Sequence, residues 1–475
     1  MTMTVVLTEK PDVAKHVAEF FGIEQRQDGV YITKNGYYVT HNIGRMLNTG
    51  TPEDYMDEAQ KALRGFAQLP ILPAKLKRFP NDDTKKQFNT VIKLLKKADV
   101  IINAGDIDRM GQLISDEVFE YAGIDPSGRT KPIKRVLIRA NNHDSLKAAF
   151  SPANIKSNGD PNFVYCRYAG EARDEADWLI GMNGSRAVKA AINAYLENGV
   201  SVGRVQTPTL SLVVIREHQI RNFKSVTYYV PEVVLPDGRV LAWDSRKEGG
   251  DMRGIDEEGR IIDRRVAEAI VQRIKEGLAG VVTQFEHKHH EQAPPLPFSY
   301  SKLQAEMSAR HGMSIAETRK ASTALYESKK MITYVGTDCQ HLPASMHDEA
   351  SKVLGGLSAR YQRIASGANP ERKYGCWNDD KVSAHHAIIP TGENATSLTD
   401  SEQKVFDVIA RRYMAQFYPK HEYDESMLEA EYGGDVFKTT WRETTVLGWK
   451  EVDQQADEGA DGDAPADKKA FKPKN

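Results

Sequence analysis

Segments with the apolar pattern of a strand alternate with segments that have the apolar spacing of a helix along the first 155 residues of the chain. The run VVLTEK at residues 5–10 predicts a short buried strand, and Pro11 opens a helix whose apolar positions recur at helical spacing. Residues 84–123 repeat this order as helix, strand, acidic loop and helix. Because strands that alternate with helices favour a parallel sheet covered on both faces, this part of the chain is predicted to be an α/β domain.

Different patterns follow further along the chain. Residues 160–222 carry long stretches of helical spacing, whereas residues 223–290 contain short alternating segments that predict strands. Residues 292–299, QAPPLPFS, predict an extended linker because three of them are prolines. The chain is therefore predicted to have several domains, as its 475 residues also suggest.

Two helices are predicted beyond the linker, at residues 299–311 and 314–329. Ser314 and Glu317 are spaced as a capping box for the second helix. A short apolar run then predicts a strand that carries Tyr334, and the three elements together predict a winged-helix-like arrangement.

These patterns divide the chain into six regions. They are an α/β domain at 1–155, a helical region at 156–222, a β-rich region at 223–292, the winged-helix-like region at 293–395, the return of the β-rich region at 396–450, and an acidic tail at 451–475. The tail is predicted to be disordered because it is acidic and poor in apolar residues.

Composition narrows the class of protein. Hydrophobic residues make up 40% of the chain and charged residues 27%, as in an ordinary globular protein. No apolar run approaches the ~20 residues of a membrane span, and the N-terminus lacks the features of a signal peptide, so a cytoplasmic protein without a membrane partner is expected. The three cysteines are far apart and predict neither disulfides nor a zinc site.

Candidate metal-binding residues lie at the end of a predicted strand. Asp106 and Asp108 stand two residues apart just past a strand's carboxyl end, where open α/β sheets bind ligands. Paired carboxylates with open positions suit Mg²⁺, although an Asp-x-Asp alone is as often a turn. The net charge of −2 permits a nucleic-acid groove only where positive charge is locally clustered.

Five segments together resemble the type IA DNA topoisomerases, and most closely the topoisomerase III kind, over about residues 4–450. They are LTEKPDVA at 7–14, NAGDIDRMGQ at 103–112, SVGRVQTPTL at 201–210, ITYVGTDCQHLP at 332–343 and AHHAIIPT at 384–391. The resemblance implies a multidomain α/β protein with an N-terminal Toprim domain, a helical domain, a β-rich arch and a winged-helix-like domain that carries the nucleophile.

The resemblance also implies roles for individual residues. Tyr334 would be the nucleophile that retains a 5′ phosphate, Glu9 the general acid, Lys10 the group that steadies the phosphate, and His385 a phosphate and proton partner. Glu9, Asp106 and Asp108 would bind Mg²⁺. The expected DNA-binding residues are Arg173, Arg186, Arg204, Gln206, Thr207 and Asp338.

The chain departs from the family pattern in three places. Met110 replaces a third acidic residue of the metal loop, which should weaken or shift metal binding. Gly336 replaces an arginine two residues after the tyrosine, so another cation must act there or cleavage is slow. The chain also ends before the segments that complete the arch and the helical domain in the family, so a fragment or a natural truncation is expected.

The function implied is transient cleavage of one DNA strand, strand passage and religation without ATP, and no GxxxxGK[ST] loop is present in the sequence. DNA is the expected substrate and a helicase a candidate partner. Two alternatives remain open at this point. One is a nuclease or primase of the Toprim type, and the other is a fragment that binds single-stranded DNA but has weakened catalysis.

Overall fold

The computed structural model describes residues 2–192, 200–245, 253–276, 279–357, 359–382, 385–394 and 397–454. Its strands are β1 Thr4–Thr8, β2 Ile23–Gln27, β3 Val30–Thr33, β4 Tyr37–His41, β5 Leu47–Thr49, β6 Arg78–Pro80, β7 Val100–Ala104, β8 Ile133–Arg135, β9 Lys156–Ser157, β10 Glu232–Val234, β11 Val240–Trp243, β12 Val281–Gln292, β13 His421–Tyr432 and β14 Asp435–Val446. Its α-helices are α1 Pro11–Phe21, α2 Glu58–Ala62, α3 Lys85–Lys97, α4 Arg109–Tyr121, α5 His143–Ala149, α6 Pro161–Ala191, α7 Gln206–Arg221, α8 Arg264–Lys275, α9 Tyr300–His311, α10 Ile315–Glu327, α11 Ala350–Gly356, α12 Ala359–Ala365, α13 Asp400–Ala415 and α14 Lys450–Gln454.

The N-terminal α/β domain is built on a seven-stranded sheet in the order β2-β3-β4-β1-β7-β8-β9. Helices cover both faces, as predicted: α3 and α4 pack on one face, and α1 and α5 on the other. The sheet is mixed and not wholly parallel: β4, β1, β7 and β8 run parallel to one another, whereas β3 and β9 pair antiparallel with β4 and β8. The links from β2 through β4 are too short for a parallel crossover, so these strands form antiparallel hairpins.

The helical region lies against the α/β domain. The 31-residue helix α6 begins at Pro161 and packs on α4, and the indole N–H of Trp178 donates to Gly50 O at 2.9 Å. Helix α7 starts within the GRVQTP segment, with Pro208 in its first turn. None of the side chains of α7 is buried.

A five-stranded antiparallel sheet in the order β10-β11-β14-β13-β12 forms the predicted β-rich region and its return. Helix α8 packs on one face of this sheet, with Ala267 and Ile270 in its core. The sequence prediction for residues 223–290 missed this helix, because the strand-like segments on both sides dominated the pattern.

A further core joins residues 293–420 with 447–454, and we call this part of the chain the tyrosine domain because it includes Tyr334. Helices α9 and α10 match the predicted pair, and the capping box of Ser314 and Glu317 is present. The expected boundary between residues 395 and 396 is wrong, because the buried face of α13 belongs to this core and not to the β-sheet.

The predicted strand at Tyr334 is also wrong. Ile332 forms an isolated bridge with Pro390, flanked by a hydrogen bond from Thr333 N to Ile389 O at 2.9 Å. Because proline has no N–H to donate, the pairing cannot extend into a ladder. Tyr334 therefore lies on an irregular segment that starts from this bridge.

The predicted acidic tail falls largely outside the described residues. Its first part is ordered, because α14 covers residues up to Gln454 and Val452 is buried in the tyrosine-domain core. Among the described helices, none is both long and apolar enough to cross a membrane.

Candidate active site

The candidate site forms where the α/β domain meets the tyrosine domain. Glu9 and Lys10 follow β1, and Asp106 and Asp108 follow β7. Because β1 and β7 are parallel neighbours, their carboxyl ends share one edge of the sheet, as the sequence predicted for Asp106 and Asp108. His385 reaches this edge from the tyrosine domain.

One carboxylate oxygen, Asp106 Oδ2, joins the two domains. Lys10 Nζ donates to it at 2.5 Å, and His385 Nε2 lies 2.9 Å from it. Lys10 Nζ and His385 Nε2 are 3.3 Å apart. Burial opposes ionisation of Asp106, but the hydrogen bond from His385 and the charge of Lys10 lower the pKa of this carboxyl below its ordinary value.

Lys10 remains a cation in this cluster. Burial alone would lower its pKa, but the charge of Asp106 and the hydrogen bond to it dominate, so the pKa of Lys10 is raised. The cation is therefore held in place and cannot be lost near neutral pH.

Tyr334 packs against Lys10, His385 and a second tyrosine, Tyr326. Its ring centroid lies 3.8 Å from Lys10 Nζ, 4.7 Å from the ring of His385 and 5.5 Å from the ring of Tyr326. The ring is folded back over Gly336, where an added Cβ would lie 2.5 Å from the phenol oxygen. The backbone of Gly336 is not in the left-handed region, so close approach of the ring, and not backbone strain, is what a side chain there would disturb.

Glu9 is a buried carboxyl whose pKa is raised above its ordinary value. Burial and the negative charge of Asp106 raise its pKa to about 7, and Lys10 and the backbone N–H of Asp106 only partly oppose this. Glu9 Oε2 is buried and has no hydrogen-bond partner in the part of the chain that the structure describes. A carboxyl that titrates near neutral pH can act as a general acid.

Asp108 has a local role that its sequence position did not reveal. Its side chain caps α4 by accepting from Gly111 N at 2.7 Å. Gly111 is required there because a Cβ would lie 2.5 Å from Asp106 O. Met110 stands in the first turn of the same helix, beside the cap.

A divalent metal ion was predicted for Glu9, Asp106 and Asp108. Within the described residues, no group of three or more His, Cys, Asp or Glu side chains is already arranged to hold a metal. The donor chemistry nevertheless fits one, because Glu9 Oε2 is a buried carboxylate oxygen without a partner and two further carboxylates share the adjoining loop. Binding would compete with Lys10 and His385 for Asp106.

The arginines predicted to bind DNA form ion pairs with carboxylates. Arg204 Nε lies 2.8 Å from Asp177 Oδ1, and Arg173 Nε lies 3.7 Å from Asp177 Oδ2. Arg186 pairs with Glu53 on the α/β domain. These pairs lie on α6 and the start of α7, and the described contacts do not bring them to Tyr334.

Three further residues predicted to bind DNA lie near the same elements or on the surface. Gln206 Nε2 donates to Ser201 Oγ at 2.9 Å, and Thr207 Oγ1 accepts from Gly203 N at 3.1 Å. Asp338 is exposed four residues beyond Tyr334.

Sequence reasoning missed two side chains around the site. Tyr326 packs edge-on against Tyr334 and reaches Asp12 with its hydroxyl at 3.5 Å. Lys330, which has a left-handed φ of 56°, places Nζ 3.1 Å from Asp12 Oδ1 across the domain boundary. The apolar spacing of α10 predicted the helix, but no local signal connects it to α1.

A cavity of about 580 Å³ extends from Tyr334 along the boundary between the two domains. Residues from both domains line it, including Lys10, Lys15, Arg139, Tyr326, Lys330 and His385. Asp12, Asp106, Glu349 and Glu393 line it as well, so both cations and carboxylates lie next to the phenol.

Comparison with known proteins gives one family for nearly the whole chain. A family described as DNA topoisomerase matches residues 165–470, and a Toprim domain matches residues 4–139. DNA topoisomerase 3 of Pasteurella multocida is 37% identical, over 95% of this chain and 71% of the relative. DNA topoisomerase 3 of Bacillus subtilis is 33% identical, over 96% of this chain and 60% of the relative.

Full-length topoisomerase I from Thermotoga maritima is similar in fold, with a TM-score of 0.61 and 20% identity. The match covers 94% of this chain and 67% of that structure.

Proposed function

The chain belongs to the type IA DNA topoisomerases of the topoisomerase III kind, and from that membership we propose that Tyr334 cuts one DNA strand so that a second strand can pass before the cut is resealed. The cut end is held as a phosphate ester of Tyr334. Because this ester keeps the free energy of the broken phosphodiester, the reaction needs no ATP.

The observation that carries this proposal is that Lys10 and His385 both meet one oxygen of Asp106 while the ring of Tyr334 packs against both of them. A free phenol has a pKa near ~10 and is a poor nucleophile at neutral pH, so it needs cations beside the phosphate that it attacks. Lys10 supplies positive charge beside the phenol ring, and the imidazole of His385 lies against the same ring. They take over part of the role of the arginine that Gly336 replaces.

The side chains of this site can make and accept every bond and proton that the cleavage step requires. Tyr334 Oη bonds to phosphorus while the P–O3′ bond breaks, and Glu9, with a pKa of about 7, gives its proton to the leaving 3′ oxygen. His385 accepts the phenolic proton and Lys10 binds the phosphate oxygens. Religation reverses each transfer.

Toprim domains bind divalent metal ions, and we take Mg²⁺ as the ion here, with carboxylate oxygens of Glu9, Asp106 and Asp108 as its ligands. A bound ion would add positive charge next to the phosphates. The unpartnered Glu9 Oε2 supports this assignment.

The strand to be cut would lie along α6 and the start of α7. There, Arg173, Arg186 and Arg204 can exchange their carboxylate partners for phosphates. This groove favours single strands, which a helicase partner acting in the cytoplasm would supply.

A labelled-strand experiment tests the proposal. Single-stranded DNA labelled at its 3′ end is incubated with protein and Mg²⁺ and then denatured, in parallel with DNA labelled at its 5′ end. We expect the 3′-labelled fragment to stay attached to protein and the 5′-labelled fragment to be free. A nuclease would release both fragments, and a binding fragment without catalysis would leave the DNA intact, so either result would exclude the proposed function.

A further inference from the structure

Arg135 ends β8 as a fully buried cation, with 1% of its surface exposed. Its Nη1 donates to Gly105 O at 2.8 Å and to Val136 O at 2.9 Å, and its Nη2 donates to Asp106 O at 2.7 Å. Its Nε donates to Gln112 Oε1 at 3.0 Å. The guanidinium therefore binds the carbonyls of the loop that presents Asp106.

These bonds orient two successive peptide units. In a trans peptide the C=O and N–H point in opposite directions. Because Gly105 O points at Arg135, the N–H of Asp106 points away from it, toward the Glu9 carboxyl on which it acts. The next carbonyl, Asp106 O, also points inward, which leaves the Asp106 side chain facing Lys10 and His385.

Burying this cation costs free energy. Transfer of a charged group into the interior costs several kcal/mol, and an apolar residue would avoid this cost. No carboxylate of the described residues forms an ion pair with Arg135, whose hydrogen bonds go to carbonyl and amide oxygens. Burial lowers its pKa to about 10, so Arg135 is still charged at neutral pH.

We propose that Arg135 is a positioning residue of the active site, which fixes the 105–107 backbone so that Asp106 faces the reacting groups and its N–H faces Glu9. This inference rests on the proposed function and extends it to a residue that touches neither DNA nor Tyr334. Because Arg135 acts through the loop, its loss should disturb the metal ligands before it disturbs the DNA groove.

The substitution Arg135→Lys tests this inference, because lysine keeps the charge but cannot bind four acceptors in one plane. Mn²⁺ binding is measured by electron paramagnetic resonance without DNA. Adduct formation and single-strand affinity are measured separately. Loss of a group that orients metal ligands commonly lowers affinity by about 10–100-fold. We expect Mn²⁺ affinity and adduct rate to fall about ten-fold or more, with the dissociation constant for single-stranded DNA within about three-fold.

Arg411→Lys is the matched control, since Arg411 on α13 also binds a backbone carbonyl, Val452 O, at 2.9 Å but lies in the tyrosine-domain core. A purely structural role for Arg135 predicts that both variants lose thermal stability and neither changes Mn²⁺ affinity per folded molecule. Equal Mn²⁺ affinity in Arg135→Lys and wild type, or no Mn²⁺ binding by either, would overturn the inference.

Folding is checked by circular dichroism. If Arg135→Lys does not fold, Gln112→Met replaces it, because this change removes the Nε acceptor and keeps the carbonyl bonds. We then expect a smaller loss of the same sign, and unchanged affinity again overturns the inference. A wild-type protein that forms no covalent adduct would instead refute the proposed function, so the two failures are distinguishable.

Discussion

The ammonium of Lys10 lies 3.8 Å from the centroid of the Tyr334 ring. It faces the ring and is bound at the same time by Asp106 at 2.5 Å. A cation over an aromatic face is attracted by the ring's electron density, so Lys10 helps to hold the ring, and in the proposed reaction it also binds the phosphate. The position of the ring and the reactivity of its oxygen are therefore separable by mutation.

Tyr334→Phe keeps the ring face beneath Lys10 and removes only the oxygen. We expect no detectable covalent adduct and a single-strand dissociation constant within about three-fold of the wild type, because groove electrostatics is unchanged. The control is Tyr326→Phe, which removes the hydroxyl of the neighbouring tyrosine, keeps its ring and should keep the adduct. Adduct that persists in Tyr334→Phe would show that another residue is the nucleophile.

Asp106→Asn combined with Asp108→Asn keeps side-chain shape and removes two negative charges. We expect the Mg²⁺ concentration for half-maximal religation to rise at least about ten-fold. Thermal stability should change less, since Asn can still cap α4 at position 108. The measurement is a magnesium titration of religation from preformed adduct, and an unaltered titration would argue against a metal role for this loop.

Gly336→Ala and Gly336→Arg separate sterics from charge at the position where the family has arginine. A Cβ would lie 2.5 Å from the phenol oxygen, so both variants must move the Tyr334 ring. Arginine adds a donor, and one well-placed donor is worth roughly 2.7–4 kcal/mol at a transition state. We expect single-turnover cleavage to be faster in the Arg variant than in the Ala variant. Equal rates would show that Lys10 and His385 already supply the charge.

Asp116 makes the stability of the α/β domain depend on pH. Burial raises its pKa to about 6, although hydrogen bonds from Gln112 and Asn158 oppose this. A carboxyl with a raised pKa stabilises the fold below its unfolded pKa near ~4, and this stabilisation is lost as pH rises through about 6.

We therefore expect the free energy of unfolding of Asp116→Asn to rise relative to the wild type by about 1.4 kcal/mol between about pH 5 and about pH 8. Calorimetric melting of both proteins across this range checks the sign, and a constant difference between them would contradict it.

Asp177→Asn should strengthen DNA binding. Asp177 neutralises Arg173 and Arg204, so its removal frees two cations on the proposed groove. We expect single-strand affinity to rise about three-fold or more at low salt, with a steeper dependence on salt concentration. Asp144→Asn, at an exposed aspartate on α5, is the charge-matched control. Equal affinities for the two variants would remove these arginines from the DNA path.

Half of the site could be predicted from local sequence and half could not. Asp106 and Asp108 follow a predicted strand of an α/β domain, so their position at a ligand-binding edge follows from sheet geometry. The approach of Tyr334 and His385 depends on packing between domains, and no periodicity encodes it. Only the family resemblance placed them together.

Arg135 shows a signal that sequence reasoning could have used. Alternation along β8 puts Arg135 on the same side as Ile133, which is buried, and opposite the exposed Lys134. A charged residue on the inward side of a strand requires buried acceptors, and the adjoining acidic loop was the nearest source of them.

The hydrogen bond between His385 and Asp106 joins residues 279 positions apart on two domains. This has a consequence for the hydrolysis of the covalent linkage. In the proposed reaction, Tyr334 would leave with its ester when the two domains separate to let a strand through, while Glu9 and Asp106 would stay behind. Each half would then lack the partner that would let water attack the linkage. The broken DNA end would be protected from hydrolysis for as long as the gap is open, and only reunion would restore the capacity to react.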